Sequence, residues 1–310
     1  MKKGIGVIVN PFSRQNKRNP DRINKLAYIV GSSGTIAATK SLTELEEVAR
    51  EFKERGIEIL ALSGGDGTNH ITLTKFIEVY GETPLPKIAL LRGGTMNTIA
   101  DSIGIRGDSN QILFNIVEKY HNNIPFKTAR RNVMNIDGRY GFLFANGVAF
   151  NFLKAYYSGS TPTPTKAATI LTKAILSATR GGDFAKWLFK KFKADIYVDG
   201  SKWPYKEYFM IVAATIDNLG FGFNPFVKVF DKENCFDIIG VMCEAMDVVM
   251  SLPAIRMGLP LNQDKFIDAA AEEVIFESEE PMKYTIDGDI YESGERMIMK
   301  AGPKLELIVS

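Results

Sequence analysis

The chain has 310 residues, 45% hydrophobic and 24% charged, a balance that excludes wholesale disorder and supplies enough apolar surface for a sizeable core. A net charge of +2 is too near neutral for a dedicated nucleic-acid binder, so nucleic acid is not an expected partner. Two cysteines and two histidines exclude a disulfide framework and a zinc or iron–sulfur centre, and point to a reducing compartment.

The first apolar run, residues 5–9, follows Met1-Lys2-Lys3 and is too short for the roughly 7–15 residues of a signal-peptide core. It reads as a buried strand of a cytoplasmic protein, and no later run approaches the ~18 residues of a membrane span. Further strands are predicted at 35–38, 57–62 and 87–91, and helices at 21–30, 43–55 and 71–80. The helix over 43–55 carries Leu42, Leu45, Val48, Ala49 and Phe52 on one face, with Thr43 and Glu46 as a capping pair and Gly56 as its stop. Strand–helix–strand alternation predicts a doubly wound, mostly parallel sheet that binds its ligand beyond the carboxyl ends of the strands.

Three stretches fall at that edge. The first strand runs into Asn10-Pro11-Phe12-Ser13-Arg14, amid Lys2, Lys3, Lys17, Arg18, Arg22 and Lys25, a basic run that suits either a solvated face or a polyphosphate. The third is followed by Ser63-Gly64-Gly65-Asp66-Gly67-Thr68-Asn69, where glycines let backbone N–H groups wrap an anion and a helix N-terminus adds its dipole. Asp66 would repel a phosphate unless a cation bridges them, which points to Mg²⁺. A tight turn with an aspartate cap would use the same residues. The fourth strand leads into Gly93-Gly94-Thr95-Met96-Asn97-Thr98, and two glycine turns at one edge favour a phosphate site over two unrelated caps.

After residues 122–125 the texture becomes β-rich, with predicted strands at 131–136, 140–150, 194–198, 208–215, 235–242, 273–276, 282–286, 296–300 and 305–309. Asp137-Gly138 and Asp199-Gly200 read as hairpin turns. The prediction is an antiparallel sandwich spanning 125–310 beside a domain spanning 1–124, with the last strand free to return to the first. A helical insert is expected over 165–179. Phe184, Trp187, Leu188 and Phe192 would share one face of a helix over 184–193, opposite Lys186, Lys190 and Lys193, a pattern that suits an anionic lipid surface or plain packing. Near the end, Ile286-Asp287-Gly288-Asp289 is either another hairpin turn or a carboxylate acting as general base.

These stretches, in this order, resemble the diacylglycerol kinase catalytic-domain family, which includes bacterial lipid kinases and sphingosine kinases, and more distantly the NAD kinases. The matching positions are Asn10 to Arg14, Thr39, Gly64 to Thr68, Gly94 to Thr98, and Asp287 to Asp289. The resemblance implies a two-domain kinase with ATP in the interdomain cleft. Asn10, Ser13, Arg14, Thr39, Gly64, Gly65, Asp66, Gly67, Thr68, Asn69, Thr95 and Asn97 would contact the nucleotide, with Asp66 at the catalytic Mg²⁺. Asp289 would stand where the family has a glutamate proton acceptor, with Asp287 beside it. Four departures are plain: Arg14 replaces a glycine, Ile71 and Thr98 replace carboxylates, and Asp289 is one methylene short. The implied function is ATP- and Mg-dependent phosphorylation of a lipid hydroxyl by a cytoplasmic protein that is peripheral on the inner membrane face, with a homodimer left open. The alternatives are a soluble-substrate kinase such as an NAD kinase, or a catalytically weak nucleotide- or lipid-binding protein.

Overall fold

Four short parallel strands and their helices form the amino-terminal half of a computed structural model that describes residues 4–94, 97–159, 163–178, 180–219 and 222–309. Thr95 of the expected nucleotide set, with Lys2 and Lys3 of the basic run, lies outside the described residues. In chain order the elements are β1 (Ile5–Val9), α1 (Arg14–Arg18), α2 (Asp21–Val30), β2 (Gly34–Ala38), α3 (Leu42–Arg55), β3 (Ile59–Ser63), α4 (Asp66–Tyr80), β4 (Lys87–Leu90), α5 (Thr98–Ser102) and α6 (Ser109–His121). Every residue of β1 and β3 is buried, as strands covered on both faces must be. The parallel order is β2-β1-β3-β4, and the end of the last strand adds Leu307 beside Ile88 of β4. Strand order therefore reverses between β1 and β3, the switch point where open α/β sheets bind ligands.

The helix α3 shows local sequence at work. Its cap is Ser41, whose Oγ accepts from the Glu44 amide at 3.1 Å, while the Glu44 carboxylate accepts from the Lys40 amide at 2.7 Å. The expected Thr43–Glu46 pair lies two residues too far along, because the chain is already helical at Leu42. Leu45, Ala49 and Phe52 face inward, Leu42 is exposed, and Gly56 stops the helix in the left-handed region.

Contacts divide the chain into two units, one made of Met1–Val133, Gly138–Gly141 and Gly302–Ser310, the other of Met134–Asp137 and Phe142–Ala301. The second holds the end of β5 (Thr128–Ile136), with β6 (Arg139–Gly141) assigned to the first. It continues with β7 (Leu143–Asn146), α7 (Val148–Tyr157), α8 (Pro164–Ala178), α9 (Asp183–Leu188), β8 (Phe192–Lys193), β9 (Asp195–Val198), β10 (Ser201–Lys202), β11 (Glu207–Tyr208) and β12 (Met210–Ala214). Then follow β13 (Phe236–Val241), α10 (Ala245–Arg256), β14 (Phe266–Ala271), β15 (Glu273–Glu277), β16 (Lys283–Ile286), β17 (Asp289–Glu292) and β18 (Arg296–Ile308). An antiparallel sheet of order β14-β13-β12-β7-β16-β17 packs on the antiparallel run β10-β9-β15-β18. Phe144, Ile211, Ile238 and Tyr284 from one sheet meet Ile196, Val274, Phe276 and Met297 from the other, with Phe144 and Phe276 rings 5.7 Å apart. The fold is thus an α/β unit and a mainly antiparallel sandwich.

Two β and helix expectations are corrected. The strand expected over 140–150 ends at Asn146; Gly147 turns at a φ of 61° and α7 begins, because Phe152 and Tyr156 stack one turn apart at 6.1 Å. The helix expected over 184–193 ends at Leu188, since Phe192 and Lys193 pair with β11 as strand and the Phe192 ring stacks on Tyr208 at 5.9 Å. Its aromatic face is therefore spent largely on packing.

His70, in the first turns of α4, is buried with Nδ1 2.7 Å from the Tyr140 carbonyl, so this nitrogen carries the proton and donates. Burial pushes its pKa down to about 4. An unfolded histidine takes its proton near 6.5, so the contribution is complete above that value and is lost progressively as pH falls toward about 4. Urea unfolding should show up to about 3 kcal/mol of stability lost across that window. His70→Gln should flatten that slope; an unchanged slope in the variant refutes the assignment.

Candidate active site

The carboxyl ends of β1 and β3 lie side by side, and their following residues are tied together. The Asn10 amide N–H donates to the Ser63 carbonyl at 3.1 Å, and Asn10 Nδ2 donates to Thr68 Oγ1 at 3.0 Å. Asn10 Oδ1 accepts from the Phe12 amide at 2.8 Å, so one side chain joins the first loop to the first turn of α4. Asn16 Nδ2 donates to the Asn10 carbonyl at 2.8 Å and to the Ser63 carbonyl at 3.3 Å. The Thr39 amide donates to the Val9 carbonyl at 3.2 Å, which brings the residues after β2 to the same edge.

The glycines have a packing reason as well as an open backbone. A methyl on Gly94 would run into Gly65 Cα, and one on Gly93 would sit 2.8 Å from the Gly64 nitrogen. A methyl on Gly64 would strike the Thr68 side chain. The two turns therefore lie backbone against backbone, an approach only glycine allows. Asn97 holds the second turn with a left-handed φ of 53° and an Oδ1 that accepts from the Gly94 amide at 3.0 Å. The helix α4 starts at Asp66, earlier than residue 71, so Gly67, Thr68 and Asn69 belong to its first turns.

Asp66 Oδ2 accepts from the Thr98 amide at 3.0 Å, and burial raises its pKa to about 6. Among the described residues its Oδ1 is buried with no partner, as are Ser13 Oγ, Asn16 Oδ1, Ser63 Oγ and Asn69 Oδ1. Buried polar atoms are nearly always satisfied, so five such atoms around one sheet edge mark a candidate binding site. The hydroxyls of Ser13 and Ser63 can donate to phosphate oxygens. The carboxylate and amide oxygens need hydroxyl, water or cation partners. This donor set fits a nucleotide. It also fits Mg²⁺, which takes one carboxylate and draws its other oxygens from phosphate and water. Among the described residues no group of three acidic, histidine or cysteine side chains forms a self-contained metal cage.

The basic run does not act as a block. Arg22 turns inward, bonded to Gln15 and to Ser109, while Gln15 Nε2 donates to the Gly94 carbonyl at 3.3 Å. Burial lowers the Arg22 pKa. Arg14 opens α1 half-buried, and Lys17, Arg18 and Lys25 are exposed. Arg22 and Gln15 thus brace the second glycine turn. Neither Gln15 nor Asn16 carried a sequence signal, because their roles come from residues distant along the chain.

Asp287 and Asp289 part company in the second unit. Asp287-Gly288 has φ values of 49° and 90°, the same turn as Asp137-Gly138 and Asp199-Gly200. In all three the aspartate carboxylate accepts backbone N–H groups: Asp137 from Ile298, Asp199 from Glu272 and Glu273, and Asp287 from Phe142 and Leu143. Asp287 is a turn clamp. Asp289 instead opens β17 with a buried Oδ2 that has no partner among the described residues, and burial raises its pKa. A methyl on Gly288 would lie 3.2 Å from the Tyr157 hydroxyl, so a tyrosine of α7 stands beside this turn. The sequence reading missed Tyr157 because it took the stretch leading into α7 for a strand.

Switch-point geometry, paired glycine turns and an aspartate at the head of α4 together describe a candidate anion-binding edge of an α/β sheet. Residues 4–128 match the diacylglycerol kinase catalytic domain. The match lies within the amino-terminal unit, and solved structures resemble nearly the whole chain in fold. A candidate diacylglycerol kinase of Bacillus anthracis strain Sterne superposes with a TM-score of 0.72 at 17% identity, over 99% of this chain and 97% of that one. A second such structure from the same strain gives 0.67 at 18% identity, with the same coverage. Yeast NADH kinase complexed with NADH gives 0.52 at 10% identity, over 99% and 83%. No curated protein matches the chain in a sequence search. At these identities the structures establish the fold, while the domain match supports a kinase with a nucleotide phosphoryl donor.

Proposed function

We propose that this chain is an ATP- and Mg-dependent kinase that phosphorylates a hydroxyl group of a lipid alcohol such as diacylglycerol. The observation that carries the reading is the set of orphaned buried polar atoms at Ser13, Asn16, Ser63, Asp66 and Asn69, gathered at the β1/β3 switch point. Backbone N–H groups at the head of α4 favour the phosphates, with the helix dipole adding to them. The hydroxyls of Ser13 and Ser63 donate to the same oxygens. Mg²⁺, when bound, would neutralise charge on the transferring phosphoryl group. Asp66 holds the carboxylate that faces it. Asn10 and Asn97 keep the two loops in register by their own hydrogen bonds.

In this reading Asp289 accepts the proton of the acceptor hydroxyl, and Asp287 fixes the turn that presents it. A carboxylate with a raised pKa is a stronger base than an ordinary one, which suits that task. The lipid class rests on the diacylglycerol kinase domain match. The test is turnover of labelled ATP with diacylglycerol, a long-chain base, NAD or no acceptor. Labelled phosphate in the lipid arms supports the proposal. Labelled NAD alone moves the chain to the soluble-substrate kinases. ATP binding without transfer in any arm reduces it to a nucleotide-binding protein.

A further inference from the structure

The helix α10 is apolar on both sides, yet only one side is covered. Ile255 is buried and Val248 and Leu252 are half-buried on one side. On the opposite side Met246, Val249, Met250 and Met257 are 65%, 50%, 72% and 66% exposed, with Pro253 exposed between them. Spacings of three, four and seven residues put all five on one stripe. Leu259 and Val227 extend it past Gly258. A contiguous exposed apolar stripe of this size marks an interaction surface.

Its occupant is indicated by chemistry on either side. The stripe carries methionine, valine and proline, with none of the tryptophan or tyrosine that anchors protein interfaces, and exposed Arg256 stands at its edge. At the amino-terminal end of α10, Lys191 donates to the Glu244 carboxylate at 2.6 Å and to the Met242 carbonyl at 3.4 Å. That tie brings the segment bearing exposed Lys186, Lys190 and Lys193 to the head of the helix. Of the nearby acids, Glu244 pairs with Lys191, Asp247 with Lys265 at 2.6 Å and Asp183 with Lys186 at 3.5 Å. Glu207 lies across from Lys193 in the β8–β11 pair, which leaves Lys190 and Arg256 to add positive charge. Apolar side chains beside a set of ammonium groups suit the boundary between acyl chains and anionic headgroups. No described helix is long and apolar enough to cross a membrane, so such contact would lie in the interface plane.

We propose that the outward stripe of α10, with the adjoining lysines, is the surface by which this chain docks on an anionic membrane. The inference rests on the lipid-kinase reading and locates where that kinase meets its substrate's bilayer. It also moves the anchor away from Phe184 and Phe192, whose rings are engaged with Trp187 and Tyr208. The full chain is floated with phosphatidylcholine vesicles and with vesicles enriched in phosphatidylglycerol. Wild type should bind the anionic vesicles more tightly, and salt should weaken that preference. Met246→Gln with Met250→Gln should lower partitioning at least about tenfold. Met250→Trp should show a blue-shifted emission on the same vesicles, a readout that does not depend on loss. Equal flotation of wild type and double variant overturns the proposal, as does an unshifted tryptophan. A lipid-free dimer that the double variant loses also overturns it, in favour of a second copy of this chain as occupant. The two readings separate with a short-chain diacylglycerol supplied as monomers. The double variant should phosphorylate it normally while losing activity on vesicle-borne substrate. Wild type that docks but phosphorylates neither form sustains the docking surface and refutes the kinase.

Discussion

Replacing Asp289 with asparagine should lower kcat by roughly 10²–10⁴-fold, the usual weight of general base catalysis, with nucleotide affinity nearly unchanged. Asparagine preserves the size of the side chain and removes only its ability to take a proton. The wild-type rate should fall as pH drops through a pKa above the ordinary carboxylate range, because burial penalises the charged form of Asp289. Asp289→Asn should lose that acidic limb. The control is the neighbouring turn. Asp287 accepts from the Phe142 and Leu143 amides, so Asp287→Asn should cost about 1–2 kcal/mol of stability and leave kcat within a few-fold. Asp289→Glu restores the family's longer acid and should be tolerated. Initial-rate kinetics on the phosphorylated lipid, paired with thermal unfolding, read all three. Should Asp287→Asn destroy turnover while Asp289→Asn spares it, the roles are reversed.

Asp66→Asn should abolish phosphoryl transfer, with a fall of at least roughly 10³-fold, since the only carboxylate at the head of α4 is removed from the developing charge. Stability should move little. Asparagine can still accept from the Thr98 amide that now bonds Asp66 Oδ2 at 3.0 Å, and it relieves the burial that lifts the Asp66 pKa to about 6. Unfolding free energy within about 1–2 kcal/mol of wild type is therefore expected at neutral pH. Titration of ATP with and without Mg²⁺ provides the second readout: the metal should sharpen ATP binding in wild type and have little effect in the variant. Wild-type turnover in Asp66→Asn would remove Asp66 from the metal site altogether.

The amino acids alone determined the elements whose chemistry is local. The apolar run of β1, the stop of α3 at Gly56 and the Asp-Gly hairpins each depend on residues within one turn or one strand of each other. They also determined that Gly64–Gly65 and Gly93–Gly94 follow strands, which is enough to place them at one edge of a parallel sheet. What local sequence could not decide were the competitions settled by distant partners. Val148–Tyr157 carries aromatic residues that suit a strand equally well, and Gly147 with the stacking of Phe152 on Tyr156 resolved it as helix. Phe192 leaves its expected helix because Tyr208 and β11 offer it a sheet edge and a ring. Arg22 reads as part of a basic surface, yet Gln15 and Ser109 draw it inward to brace a turn that is remote in sequence. The most consequential case is the pair of aspartates. Asp287 and Asp289 are the same residue two positions apart, and only the tertiary structure gives one of them the Phe142 and Leu143 amides and leaves the other with a buried Oδ2 that has no partner among the described residues. A carboxylate's role follows from how many donors surround it and how much water is excluded, and both depend on strands brought in from elsewhere in the chain.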